Sequence, residues 1–206
     1  MHLERFGSLE NILKTKMELA QSLPKDGLFL LPKSIDPKSF NITVEKIIYF
    51  NNPEHIYKNI AKHFDVKNPP KNNFSITNHR LQITQNGPIT IIDDSYNSNP
   101  AGFEMALKTL KAQKTSQKIL VTPGMIELGS LQFSENARLT KLASKICDYI
   151  IIVGQTNKKA LLLGSKNTPA KIHTIQNLSE TEKLLPSLYK GTCAVLFEND
   201  LGDQYF

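Results

Sequence analysis

The stretch IIDDSYNSNP, residues 91–100, ends an apolar run on two carboxylates, Asp93 and Asp94, and follows them with Tyr96, Asn97 and Pro100. A carboxylate at the carboxyl end of a strand can accept hydrogen bonds from both hydroxyls of a ribose. The same residue types also shape turns. Asp94 or Asn97 can fold the chain back on itself and cap a helix opening at Pro100. The residues alone leave both readings open. Arg80 stands fourteen positions before Asp94. By residue type alone it reads as a surface residue in a turn. Lys16 is a second place where chemistry could sit. On a 3.6-residue period it falls inside the stripe Leu9, Ile12, Leu13, Ala20 and Leu23, while Lys14 points roughly 200° away. A lysine on an apolar stripe either buries its whole length or lays only its stem there.

These groups need elements to hold them. Ser8 can cap a helix from about Leu9 to Ser22, with Pro24 and Gly27 closing it. GLFLLP at 27–32 and TVEKIIYF at 43–50 read as strands, and a helix is expected over 53–64. NPPKNN at 68–73 has the composition of a linker. After it the pattern becomes regular. RLQIT, Asn86-Gly87 and PITIID predict a hairpin. A helix from 101 to 112, the strand KILVTPG, a helix over 132–146 and the strand DYIIIVG follow. A short helix, KIHTI, a helix over 179–188 and CAVLFE complete the series. Alternating strands and helices predict a Rossmann-like, doubly wound, mostly parallel α/β sheet. Such sheets bind ligands beyond the carboxyl ends of their strands. DDSYN, TPGMIELG, VGQTN and FENDLGD occupy those ends. Glu127 there reads equally as a packing residue or a contact, and Asn199, Asp200 and Asp203 read as ordering the last loop.

Composition narrows the class. The chain has 206 residues, enough for one good core and a small second unit. Its formal charge of +6 favours anionic partners. The lysines are scattered, with no aromatic-basic stripe for nucleic acid. No apolar run reaches membrane-spanning length, and no secretory signal is visible. Cys147 and Cys193 lie in apolar surroundings and read as reduced core residues. A cytoplasmic protein, with no nucleic-acid or membrane partner, is the expectation.

Four segments together resemble the Mur ligases, ATP-dependent amide ligases of peptidoglycan synthesis. DDSYNSNP resembles the DDSYNANP signature of the branch that adds D-alanyl-D-alanine (D-Ala-D-Ala) to UDP-MurNAc-tripeptide. HLERFGSLENILKTKMEL resembles the segment H-L-E-x-F-G-S followed by a helix bearing two lysines. TPGMIELG and VLFENDLGDQY resemble two segments of the C-terminal domain, with Gly202 where ENDLPD has Pro. The resemblance implies that a substrate carboxylate is phosphorylated by ATP, with Mg2+, and that the amine of D-Ala-D-Ala attacks the acyl phosphate. It implies His2 as a magnesium ligand and Lys16 as a carbamylated lysine supporting a metal. It places Arg80 and Asp94, with Tyr96 and Asn97, at the nucleotide. It divides the chain into a remnant of the central ATPase domain, residues 1–67, and a C-terminal domain, residues 75–206.

One part of the resemblance is missing. Mur ligases cradle ATP phosphates on a G-x-x-G-K-[ST]-type loop, and this sequence contains none. The family's acidic magnesium ligand upstream of the His, and the domain that grips the UDP-sugar, are also not found. Phosphoryl transfer rests on positioning and electrostatics, so the expectation is a polypeptide inactive by itself. It would be a ligase fragment, one half of a split ligase with a separate loop-bearing half, or a non-catalytic nucleotide-binding or regulatory module.

Overall fold

The computed structural model describes residues 3–51, 53–67 and 79–199. The chain divides into two compact units: residues 3–67 lie in one and residues 79–199 in the other. The linker-like stretch at 68–73 lies outside the described residues.

In the first unit a short turn of helix, α1 (Leu3–Phe6), precedes α2 (Leu9–Gln21). The Ser8 hydroxyl accepts from the Asn11 N–H at 3.1 Å and satisfies one of the free donors of the first turn. The parallel pair β1 (Leu28–Pro32) and β2 (Lys46–Phe50) follows, then α3 (Pro53–His63). Met17, Ala20 and Leu31 form the centre of a small core, with Leu13, Phe29 and Ile47 against it.

The second unit is a six-stranded sheet. β3 (Gln82–Asn86) and β4 (Ile89–Asp94) form an antiparallel hairpin; Asn86 pairs with Ile89, so the turn is Gly87-Pro88, one residue later than the expected Asn86-Gly87, with Gly87 at φ 56°. The remaining strands run parallel to β4: β5 (Gln117–Thr122), β6 (Tyr149–Val153), β7 (Lys171–Ile175) and β8 (Cys193–Glu198). The spatial order is β3-β4-β8-β5-β6-β7. The connecting helices are α4 (Pro100–Ala112), α5 (Gln132–Ala143), α6 (Lys158–Gly164) and α7 (Glu180–Leu188). α5 stops three residues short of the expected 146, and Ile146 and Cys147 pack from the turn after it.

Strand side chains alternate between faces, and both faces are covered. Ile92, Leu120, Ile150, Ile152 and Leu196 meet Phe103, Leu110, Leu139 and Leu161 from α4, α5 and α6. Ile119, Val121, Ile151, Val153 and Val195 meet Leu184, Leu185 and Leu188 from α7. This explains why the central strands read as continuous apolar runs. Cys147 and Cys193 are buried free thiols. Among the described residues no helix is long and apolar enough to cross a membrane.

Candidate nucleotide-facing site

The winding of the sheet brings the carboxyl ends of β4, β8 and β5 side by side. β8 pairs with β4 on one side and β5 on the other, and Asp94 is the register partner of Glu198.

Asp93 shapes the turn. Its Oδ1 accepts from the Ser95 N–H at 3.1 Å and the Ser95 hydroxyl at 2.6 Å, and its Oδ2 meets His79 Nδ1 at 2.7 Å. Burial pushes its carboxyl up, but the Ser95 hydroxyl, His79 and the Ser95 N–H outweigh burial and hold it below the ordinary range.

Asp94 is half-buried, and its Oδ1 accepts from the Leu81 N–H at 3.0 Å. Burial raises its proton affinity. The Leu81 N–H and the Arg80 charge oppose that rise without cancelling it. Arg80 lies over the Tyr96 ring, its guanidinium carbon 4.7 Å from the centroid, and both side chains are exposed. His79 and Leu81, on either side of Arg80, adopt left-handed φ of 61° and 47°. The Tyr96 N–H donates to His79 O at 3.1 Å and ties this segment to the turn. Asn97 is half-buried in the same turn. The helix cap belongs to Asn99, whose Oδ1 accepts from the Gly102 N–H at 3.0 Å.

The neighbouring loop ends are knit by asparagines. Asn136 Oδ1 accepts from the Met125 N–H at 2.7 Å, and its amide donates to Met125 O at 2.8 Å. Asn157 Nδ2 donates to Pro123 O at 3.0 Å, and Asn199 Nδ2 donates to Gly124 O. The Asn199 N–H reaches Asp94 O at 3.1 Å. Asn199 thus orders the loop, as the sequence suggested; Asp200 and Asp203 lie outside the described residues. Glu127 sits in the TPGMIELG loop with φ 59°.

Of the six residues singled out from sequence, Arg80, Asp94, Tyr96 and Asn97 share this corner. His2 lies outside the described residues. Lys16 is on α2 of the other unit, where the stripe reading needs correction: Lys16 is exposed, and Leu9, taken as part of its stripe, is 75% exposed. The buried face is centred on Leu13, Met17 and Ala20, with Met17 only 5% exposed. Met17 was not counted in the stripe. The face centred on Leu13, Met17 and Ala20 lies about 55° around the helix from the centre of the expected stripe, which leaves Lys16 on its shoulder. Among the described residues no group of three or more His, Cys, Asp or Glu is arranged to hold a metal ion.

Sequence reasoning missed Glu198 and Ser98. Glu198 is 0% exposed, and its Oε1 accepts from the Ser98 hydroxyl. An alternation count would have placed Glu198 on the same sheet face as Leu196, facing inward, which is an unusual place for an acid.

The described fold of the second unit is a doubly wound α/β domain whose polar groups gather at the strand ends where nucleotides bind in such folds. More specifically, the chain belongs to the Mur ligase family: residues 79–197 match the Mur ligase, glutamate ligase domain. It is 31% identical over 86 residues to the UDP-N-acetylmuramoyl-tripeptide–D-alanyl-D-alanine ligases of Mycobacterium tuberculosis and Mycobacterium bovis, over 38% of this chain and 17% of theirs. Its fold is shared with MurF ligase from Thermotoga maritima in complex with ADP, with TM-score 0.75 and 15% identity, over 97% of this chain and 56% of that one. MurF from Acinetobacter baumannii gives TM-score 0.71 and 20% identity, over 97% of this chain and 54% of that one. The chain spans about half the length of these solved relatives.

Proposed function

We propose that this chain carries the C-terminal part of an ATP-dependent amide ligase of peptidoglycan synthesis, joining D-Ala-D-Ala to UDP-MurNAc-tripeptide through an acyl phosphate. Residues 75–206 are its C-terminal domain and residues 1–67 a remnant of the central ATPase domain. The observation carrying this reading is the convergence of Arg80, Tyr96 and Asp94 on one corner within the family-matched segment. That a relative of the same fold has been solved with ADP supports a nucleotide as the ligand.

The chemistry suits the groups present. The Arg80–Tyr96 stack offers a flat, cationic and aromatic surface for a base and its phosphates. Asp94, fixed through Oδ1 by the Leu81 N–H, is an acceptor for ribose hydroxyls, with Asn97 beside it. Lys16 and His2 are the candidates that would support Mg2+, which neutralises phosphate charge when bound. Lys16, being exposed, is free to take up carbon dioxide as a carbamate. The sequence contains no Gly-rich phosphate loop. The polypeptide alone therefore neither hydrolyses ATP nor forms the amide bond, and a loop-bearing partner half would be needed to complete the site. Such a protein is cytoplasmic, where ATP and the UDP-linked precursor are found.

The test is ADP binding by the whole chain. Dissociation constants in the millimolar range, about −4 kcal/mol, are expected, with further loss in Asp94→Ala. Equal binding by Asp94→Ala and wild type, or D-Ala-D-Ala-dependent phosphate release by the purified chain, would refute this reading.

A further inference from the structure

Glu198 is the buried acid that the binding reading leaves without a task. Its side chain is fully enclosed, and Ser98 occupies Oε1. Among the described residues its Oε2 has no hydrogen-bond donor. The groups acting on it are the Ser98 hydroxyl and the Asp94 carboxyl, and neither is a cation. Asp94 in turn faces Arg80, the Leu81 N–H and Asp93, with His79 bonded to Asp93 beyond. A buried carboxylate with an orphaned oxygen beside a second carboxylate is strongly disfavoured. The same geometry becomes satisfied if one proton is added. Oε2 then turns from an orphaned acceptor into a donor, and its neighbour Asp94 is an acceptor. The proton belongs on Glu198, because Glu198 is the more buried acid while Asp94 has an N–H and a guanidinium favouring its anion. Burial first, and then Asp94, push the Glu198 carboxyl well above its ordinary range, in agreement with the geometry.

We propose that Glu198 is a positioning residue, held as a neutral acid, which donates from Oε2 to Asp94 and fixes the carboxylate that faces the ligand. Asp94 is then gripped from two sides: by the Leu81 N–H ahead of β3 and by Glu198 from the adjacent strand β8. Ser98 holds the acid from the far side and couples it to the loop that opens α4. The role assigned to Asp94 rests on the nucleotide reading above; the shared proton does not.

Two measurements on the whole chain keep these apart. Infrared difference spectra at pH 7 should show the carbonyl band of a protonated carboxylic acid. That band should vanish in Glu198→Gln and shift in Asp94→Asn. Its absence from wild type overturns the shared proton. The second measurement is ADP titration by NMR. Glu198→Gln keeps an acceptor for Ser98 and a donor for Asp94 and should bind within twofold of wild type. Glu198→Leu keeps neither and should fall to the level of Asp94→Ala. Ser98→Ala, a milder change, should lie between. Loss of affinity in Glu198→Gln equal to that in Glu198→Leu means that the acid acts as an anion and overturns the proposal. Wild-type affinity in both Glu198→Leu and Ser98→Ala overturns the positioning role. Failure of wild type to bind ADP removes the nucleotide reading and with it the positioning role, while the band still decides where the proton lies.

Discussion

Gly124 offers a sharp test of how the strand-end loops are held. Its φ is +79°, in the left-handed region. A Cβ placed there would meet Asn136 Oδ1 at 2.6 Å and Asn157 Cβ at 2.8 Å. Gly124→Ala therefore carries two penalties. The backbone conformation costs an L-residue about 1–2 kcal/mol. The crowding adds to it, because neither neighbour can yield cheaply. Asn136 Oδ1 is the acceptor for the Met125 N–H at 2.7 Å, and displacing it strands a buried donor, about 1–3 kcal/mol. Asn157 Cβ sits next to its own backbone and has no rotamer that moves it away. The sum is about 2–5 kcal/mol, a large part of a typical domain's stability. Gly87→Ala is the control: its φ is +56°, but a Cβ there meets nothing within 4 Å. It should show the conformational cost alone. The two units need not unfold together, so the readout is hydrogen exchange by mass spectrometry, resolved to peptides covering β5 and α5, across a urea series. Gly124→Ala should lose protection there by at least about 1 kcal/mol more than Gly87→Ala loses anywhere. Equal losses would refute the clamp.

Three further outcomes follow from the structure. Glu198 has a raised proton affinity in the folded protein, so its contribution to stability is fully present below its unfolded value of 4.5 and is lost as pH rises through the folded value. Within that window wild type should lose up to about 1.4 kcal/mol per pH unit from this group. Asp94 acts in the same direction, whereas Asp93, being lowered, acts only below its ordinary 3.8. Glu198→Gln should flatten the fall of the urea midpoint as pH rises above 4.5, and an unchanged slope would contradict this. Burial pushes Cys147 up to about 12 and Cys193 up to about 11. Iodoacetamide at pH 8 should label both only as fast as the domain opens, and rapid labelling of the native chain would count against their placement. Ser8→Ala should weaken protection of α2 by about 1 kcal/mol, and an unaltered exchange rate across residues 9–21 would show the cap to be dispensable.

Local rules carried much of the fold. Gly87 marks the β3–β4 hairpin because its turn needs a left-handed residue, though the turn falls on Gly87-Pro88 and Asn86 ends the strand, and Ser8 marks the start of α2 by capping it. The acidic corner was legible because DDSYN lies where an apolar strand stops. What could not be read was set by tertiary packing. Lys16 reads as lying on an apolar stripe, but the packing that buries Leu13, Met17 and Ala20 and leaves Leu9 in solvent turns that face away from it. The pairing of Asp94 with Glu198 joins residues more than a hundred positions apart, and only the insertion of β8 beside β4 brings them together. Nothing local in CAVLFE says which strands will flank it. Asn136 and Asn157 are ordinary polar residues in sequence, and their role appears only once the fold brings the Pro123–Met125 backbone against them.

The strand order has a consequence for biosynthesis. β8 is made last of the six strands yet lies between β4 and β5. Until residues 193–198 leave the ribosome, the hairpin side and the β5-β6-β7 side of the sheet share no central strand, and each exposes an unpaired edge of apolar backbone. Nascent chains that have not reached β8 are thus open to mispairing, and the arrival of residues 193–198 joins the two sides of the sheet in one late, long-range step.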